Sequence, residues 1–174
     1  MPLIRNGAVI ADDWTLLATD DGALLAEDLP AGGIIVPHGR LATARQSRHN
    51  GPLGVLIDND LDIDALLALV GAVDMIVVPF PAFGDGRGFS IARTLRNGGF
   101  IGVLRARGPL IADQAAFAEA CGFDELDIPD DHAGRQKPAQ YAAAREAFSA
   151  RYQDGYAAAA QPVSILAARH AARH

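Results

Sequence analysis

The chain carries one cysteine, Cys121, in 174 residues. A lone thiol cannot form an internal disulfide, and it cannot supply a Cys-only metal or iron–sulfur site. Lysine is nearly absent: Lys137 stands alone among 15 basic residues. Any anion site must therefore use arginine guanidinium groups or backbone N–H groups. A surplus of positive charge is also missing. The formal net charge is -6, which argues against nonspecific nucleic-acid binding, a task that needs excess cations. No apolar run approaches the roughly 20 residues of a membrane-spanning helix. Residues 1–14 hold no apolar block of signal-peptide length, and a cytoplasmic location is the resulting expectation.

What is present is the composition of a folded globular chain. Half the residues are hydrophobic and 21% are charged, far from the profile of a disordered segment. The length suits a single α/β domain over residues 1–160, followed by a tail at 161–174. Residues 1–50 read as β-rich. Two short apolar runs flank Asn6-Gly7, a strong hairpin signal. Gly32-Gly33-Ile34-Ile35-Val36-Pro37 is a β-branched run between breakers, hence a strand. Residues 41–49 are polar and arginine-bearing, which suggests a short helix before the Gly51-Pro52 break.

From residue 51 to 130 strands and helices alternate. Strands are expected at 54–57, 75–78, 101–104 and 125–128. Helices are expected at 62–69, with Asp62 as N-cap and Gly71 as the stop, at 90–96, and at 110–121 with Gly122 beyond its end. Strands at this spacing with helices between them specify right-handed βαβ crossovers and a parallel sheet. A full eight-fold barrel needs about 250 residues, so a partial barrel or a small open sheet is expected. Residues 129–136 read as a polar linker, and 137–153 as an Ala-rich helix carrying Tyr141, Phe148 and Tyr152.

The segment richest in chemistry is Phe80-Pro81-Ala82-Phe83-Gly84-Asp85-Gly86-Arg87-Gly88-Phe89-Ser90. It follows the carboxyl end of an expected parallel strand and opens a helix, where loops and helix starts converge on ligands in α/β folds. The glycines permit close approach of the backbone, and free N–H groups at the helix start favour an anion. Arg87 and Arg93 could make bidentate contacts to an oxyanion. The stretch matches neither a Walker A loop nor the GxGxxG dinucleotide fingerprint. It can also be read as a plain strand–helix turn capped by Asp85 or Ser90, with Phe80, Phe83 and Phe89 as packing residues.

The next strand ends Leu104-Arg105-Ala106-Arg107-Gly108, and period-two alternation puts Arg105 and Arg107 on one side. An inward Arg105 would join Arg87 in one positive pocket; a surface arginine pair is the alternative. Asp113-Gln114, early in the following helix, would bind a polar ligand or hold Arg105 in place. The candidate ligand-binding residues are thus Asp85, Gly86, Arg87, Gly88, Ser90, Arg93, Arg105, Asp113 and Gln114. No catalytic residue stands out. Cys121 reads as a small buried hydrophobe. His170 and His174 lack a third ligand, and the aspartates at 58, 60, 62 and 64 lack the glycine and glutamate of a calcium loop, so no metal site is expected. No flavin, nicotinamide, haem or iron–sulfur motif is visible, and no cofactor is identifiable.

Several of these motifs together resemble a bacterial family known as domain of unknown function 934. The likeness rests on Phe80-Pro81, the Asp85–Ser90 run, Ala92-Arg93, Leu95-Arg96, Leu104-Arg105-Ala106, Gly108, Asp113-Gln114 and Cys121-Gly122-Phe123-Asp124. Asp13-Trp14 and residues 29–37 resemble the family's N-terminal part, and 148–153 its C-terminal part. The resemblance implies an oxidoreductase or an accessory protein of assimilatory sulfite reduction, with a small oxyanion such as sulfite, or a sulfonucleotide, as ligand. Components of sulfite reductase are the implied partners, and the Ala-rich helix adds the expectation of a homodimer. The chain departs from the family at Pro109, where members commonly carry an aspartate, so an acid–base role there does not transfer.

Overall fold

The computed structural model describes residues 2–17, 30–47, 49–134 and 136–147. Within them the strands are β1 (Leu3–Arg5), β2 (Ala8–Ile10), β3 (Trp14–Leu16), β4 (Gly33–Pro37), β5 (Leu53–Leu56), β6 (Met75–Pro79), β7 (Val103–Arg107) and β8 (Glu125–Asp127). The helices are α1 (Leu41–Gln46), α2 (Ile63–Leu67), α3 (Arg87–Asn97), α4 (Ala112–Cys121), α5 (Asp130–Ala133) and α6 (Pro138–Ala147). One sheet takes all eight strands in the order β2-β1-β8-β7-β6-β5-β4-β3. β3 to β8 run parallel, neighbour to neighbour, while the β1–β2 hairpin is antiparallel and docks β1 on β8. The fold is α/β, as the alternation of elements predicts, and the docked hairpin makes the sheet mixed rather than wholly parallel.

The hairpin forms at Asn6-Gly7, with φ of 53° and 77°, the pair of positive values that a tight two-residue turn between twisted strands requires. β2 and β3 are the two outer edges of the sheet, yet only Ala11, Asp12 and Asp13 separate them in sequence. Four chain steps reach at most about 14 Å. Eight flat strands would stand about 34 Å across. The sheet therefore curls until its edges approach, giving a half-barrel rather than a flat open sheet.

Curling creates two unlike faces. On the outer face Ile34, Val36, Val55, Ile76, Val78, Leu104, Ala106 and Leu126 pack against helix residues such as Leu66, Ile91, Leu95 and Ala115. Period-two alternation sends Ile35, Met75 and Val77 the other way, into a smaller cluster with Trp14, Leu16, Leu56 and Val103. The Trp14 ring lies over Gly33 and Gly54, where any Cβ would stand within 2.5 Å and 3.2 Å of it. Glycine is the residue that leaves room for an indole inside so tight a curl.

The register continues this inner face into charge. Arg105 on β7 pairs with Glu125 on β8, and Arg107 with Asp127. Arg105 is 2% exposed. Its Nε donates to Glu125 at 2.8 Å, and its Nη1 and Nη2 donate to the two carboxylate oxygens of Asp12, each at 2.8 Å. Arg5 completes the set by donating to the other oxygen of Glu125. Burial works to discharge Arg105, but its hydrogen bonds to Asp12 and Glu125 outweigh it and hold the guanidinium firmly charged.

Besides shifts of one to three residues at element ends, three features differ from the sequence expectation. β7 begins at Val103 rather than Ile101, and its arginines belong to the strand because their charges are neutralised from β8 and Asp12. The linker at 129–136 contains the single turn α5, and β3 is an added strand. The expected helix at 137–153 is described to Ala147; residues 148–153 and the tail at 161–174 lie outside the described residues.

Two predictions follow from the buried charges. Removing one partner of a buried pair costs about 3–5 kcal/mol, whereas apolar replacement of both is often nearly neutral. Glu125→Ala should thus lower the urea unfolding free energy by about 3 kcal/mol or more, and Arg105→Met with Glu125→Leu should recover much of that loss. Burial raises the Asp127 carboxyl above its ordinary value of 3.8, against the pull of Arg107 and Arg105. A raised carboxyl stabilises the fold where it is protonated and loses that contribution as pH rises through its folded value. Asp127→Asn should therefore stabilise the protein at neutral pH, and this gain should vanish when unfolding is measured below pH 3.8.

Candidate functional site

Because β3 to β8 run parallel, their carboxyl ends share one rim, and the loops leaving β6, β7 and β8 meet there. The loop at 80–90 is anchored at its start. Phe80 is 2% exposed, its ring packs at 5.0 Å from Phe89 and 5.8 Å from Phe123, and its N–H donates to the Arg107 carbonyl at 2.7 Å. A Cβ on Gly88 would lie 2.4 Å from the Phe80 ring, and one on Gly108, whose φ is +148°, would lie 2.1 Å from the Phe80 carbonyl oxygen. Those two glycines are demanded by packing.

Gly84 and Gly86 are different. An added Cβ at either meets nothing within 4 Å, and neither adopts a left-handed backbone conformation. The chain itself gives no reason for their lack of a side chain. Between them, Asp85 turns back on the helix start. Its Oδ1 accepts from the Arg87 N–H at 3.1 Å, and its carboxylate takes the Arg87 guanidinium through Nε at 3.0 Å and Nη2 at 2.7 Å. The hydrogen bonds from Arg87 hold the Asp85 carboxyl below its ordinary range. The Arg87 side chain remains 62% exposed, so this pair is open to exchange with a dissolved anion.

Gln114 ties the loop to α4. Its Oε1 accepts from the Ile111 N–H at 3.1 Å, and its Nε2 donates to the Phe83 carbonyl at 2.7 Å. Phe83 is thereby fixed with 63% of its surface exposed. Ser90 and Arg93 are exposed on α3, and Asp113 is exposed in the first turn of α4, where its charge suits the helix dipole.

Arg105 is turned inward, as one sequence reading anticipates, but its partners differ from those expected. Asp12 and Glu125 take its nitrogens, so the reading in which Asp113 holds it in place is corrected. Arg87 and Arg105 serve separate acids, one on the outer rim and one inside the curl. Asp12 and Glu125 are the residues that sequence reading overlooks. The signal was available: acidic Glu125 and Asp127 alternate on β8 in the same period as Arg105 and Arg107 on β7.

Other parts of the motif set are also structural. Arg96 donates to the carbonyls of Gly122, Phe100 and Gly102 at 2.8–2.9 Å and to Asp124 at 2.6 Å. Asp124 in turn accepts the Leu104 N–H at 2.8 Å. Cys121 is buried, and burial raises its thiol above the ordinary value.

The glycine contrast can be measured. Gly84→Ala should change the unfolding free energy by no more than about 0.5 kcal/mol, with a gain expected from the stiffer unfolded chain. Gly88→Ala should cost about 1–3 kcal/mol by overpacking against Phe80, read by thermal or denaturant unfolding.

No curated protein and no solved structure matches the chain. Residues 54–163 match the family described as bacterial protein of unknown function (DUF934). That match spans β5 to α6, including the rim loops and the Arg105–Glu125 pair. The chain belongs to this family.

Proposed function

We propose that the protein is an accessory component of sulfate and sulfite assimilation that binds a small anionic ligand at the carboxyl rim of its sheet. The observation that carries the reading is the pair of open glycines, Gly84 and Gly86, on either side of Asp85 and directly before the solvent-facing Arg87 at the start of α3. Backbone free of side chains lets an oxyanion reach the first-turn N–H groups, which carry the positive end of the helix dipole. Arg87 supplies the bidentate charge by exchanging Asp85 for the ligand, and Arg93 adds long-range attraction from the same helix. Ser90 offers a hydroxyl, while Gln114 holds the loop in place. Asp113 stays outside the contact shell, and Arg105 acts as a strut beneath it. The sulfur chemistry comes from the family resemblance, and sulfite is the first ligand to test.

A second reading is a docking component of the reductase complex. It is favoured by Phe83 and Phe117, which are 63% and 53% exposed, with Phe117 stacked edge-on to Phe89 at 4.9 Å. These rings present an aromatic surface between the loop and α4.

Arg87→Ala distinguishes the two. It should weaken sulfite binding by about tenfold or more in calorimetric titration and abolish growth on sulfate as sole sulfur source, with the unfolding temperature unchanged. Normal growth of that mutant would sink the anion reading. Co-purification with sulfite reductase that survives Arg87→Ala and is lost with Phe83→Ser and Phe117→Ser would establish the docking reading instead.

A further inference from the structure

A second hollow on the same rim has a different chemistry. Phe83 from the β6 loop, Pro109 and Leu110 from the β7 loop, and His132 and Gln136 from the segment after β8 line a cleft of about 220 Å³. Its inner wall includes Tyr141 of α6, which is 1% exposed and spends its hydroxyl on the Leu110 carbonyl at 2.7 Å. Three consecutive strand–helix loops thus converge on one space at the edge where parallel sheets place their ligands.

Three features define what fits. The walls are mainly apolar, and the Gln114 bond to the Phe83 carbonyl anchors the backbone that carries this ring at the lip. The volume is that of one ring system: a cavity of about 150 Å³ takes a benzene, and drug-sized ligands need about 300 Å³ or more. The polar side chains lining the space, His132 and Gln136, offer nitrogen: Asp131 stands 3.1 Å from the His132 Nδ1, which leaves Nε2 as the ring's donor, and among the described residues no carboxylate lines the space itself. Gln136 has its amide oxygen committed to the Ala112 N–H at 2.7 Å, which leaves its NH2 as the group to be satisfied by a ligand.

We propose that this cleft binds a planar aromatic ring bearing an anionic oxygen group. The ring lies against Phe83 and Leu110, and the anion accepts from the Gln136 amide and the His132 ring. This site shares Phe83 with the loop that carries Arg87, but it does not use the Arg87 guanidinium.

Naphthalene sulfonate, a fluorescent aromatic anion with one fused ring system, is the probe, with neutral naphthalene sulfonamide beside it. The full-length protein should bind one sulfonate dye per chain with a fluorescence change, and the neutral compound at least tenfold more weakly. Phe83→Ala should weaken the dye by about tenfold through lost aromatic contact. Gln136→Glu should weaken it further by placing a negative charge beside the sulfonate. Ile101→Ser, which removes the most exposed apolar side chain, at 98%, should leave the affinity within twofold, as should Arg87→Ala. Equal binding of the neutral compound would overturn the anionic part. Affinity that follows Ile101 would overturn the cleft as a whole. Loss with Arg87→Ala alone would move the dye to the glycine loop and overturn the cleft while leaving the sulfite site standing.

Discussion

The structure depends on keeping a charged guanidinium inside a curled sheet. Arg105 reaches three places at once: β8 through Glu125, the hairpin side through the Arg5 contact to the same carboxylate, and the β2–β3 connector through Asp12. An ion with 2% exposure is tolerated only when its hydrogen bonds are satisfied. Satisfying them requires the connector to cross the mouth of the curl, and that crossing holds the two edges together. The apolar half of the inner face, around Trp14 and Met75, has no comparable directionality. It fills space, while the charged half fixes where each strand stands.

This assigns different work to residues that look alike in sequence. Arg87, Arg96 and Arg105 all belong to the motifs that mark the family. Arg96 staples the end of α4 and the start of β7, and Arg105 braces the interior. Arg87 faces solvent on a loop whose Gly84 and Gly86 the fold does not need. Of the three, it is the arginine whose identity the rest of the chain does not explain through packing, which is why the proposed anion site centres on it. Loops on a rigid scaffold commonly carry binding residues.

Much of the fold was legible in the sequence. The Asn6-Gly7 hairpin, the Asp62 cap, which accepts the Ala65 N–H at 2.7 Å, the parallel run of strands, and the Gly122 stop at φ 112° all express local backbone preferences. What was not legible is non-local. Alternation put Arg105 and Arg107 on one side of β7 but could not name the partners that let Arg105 be buried, since Asp12 lies 93 residues from it. Nothing in Trp14-Thr15-Leu16 marks it as an edge strand parallel to β4. For the candidate loop, sequence placed it at a helix start on the carboxyl rim, but could not sort glycines that packing demands from those left open.

The docking of the hairpin on β8 also sets an order of assembly. Arg5 and Glu125 are 120 residues apart, so β1 and β2, made before β8, cannot be seated on it until it has emerged. During synthesis they carry unpaired strand edges, the kind of surface that invites pairing with other chains. Contacts closing across such a separation also slow folding, since chain entropy is surrendered before they form. The segment that seals the molecule is therefore the one that waits longest, and Asp12 latches onto Arg105 only once everything between them is in place.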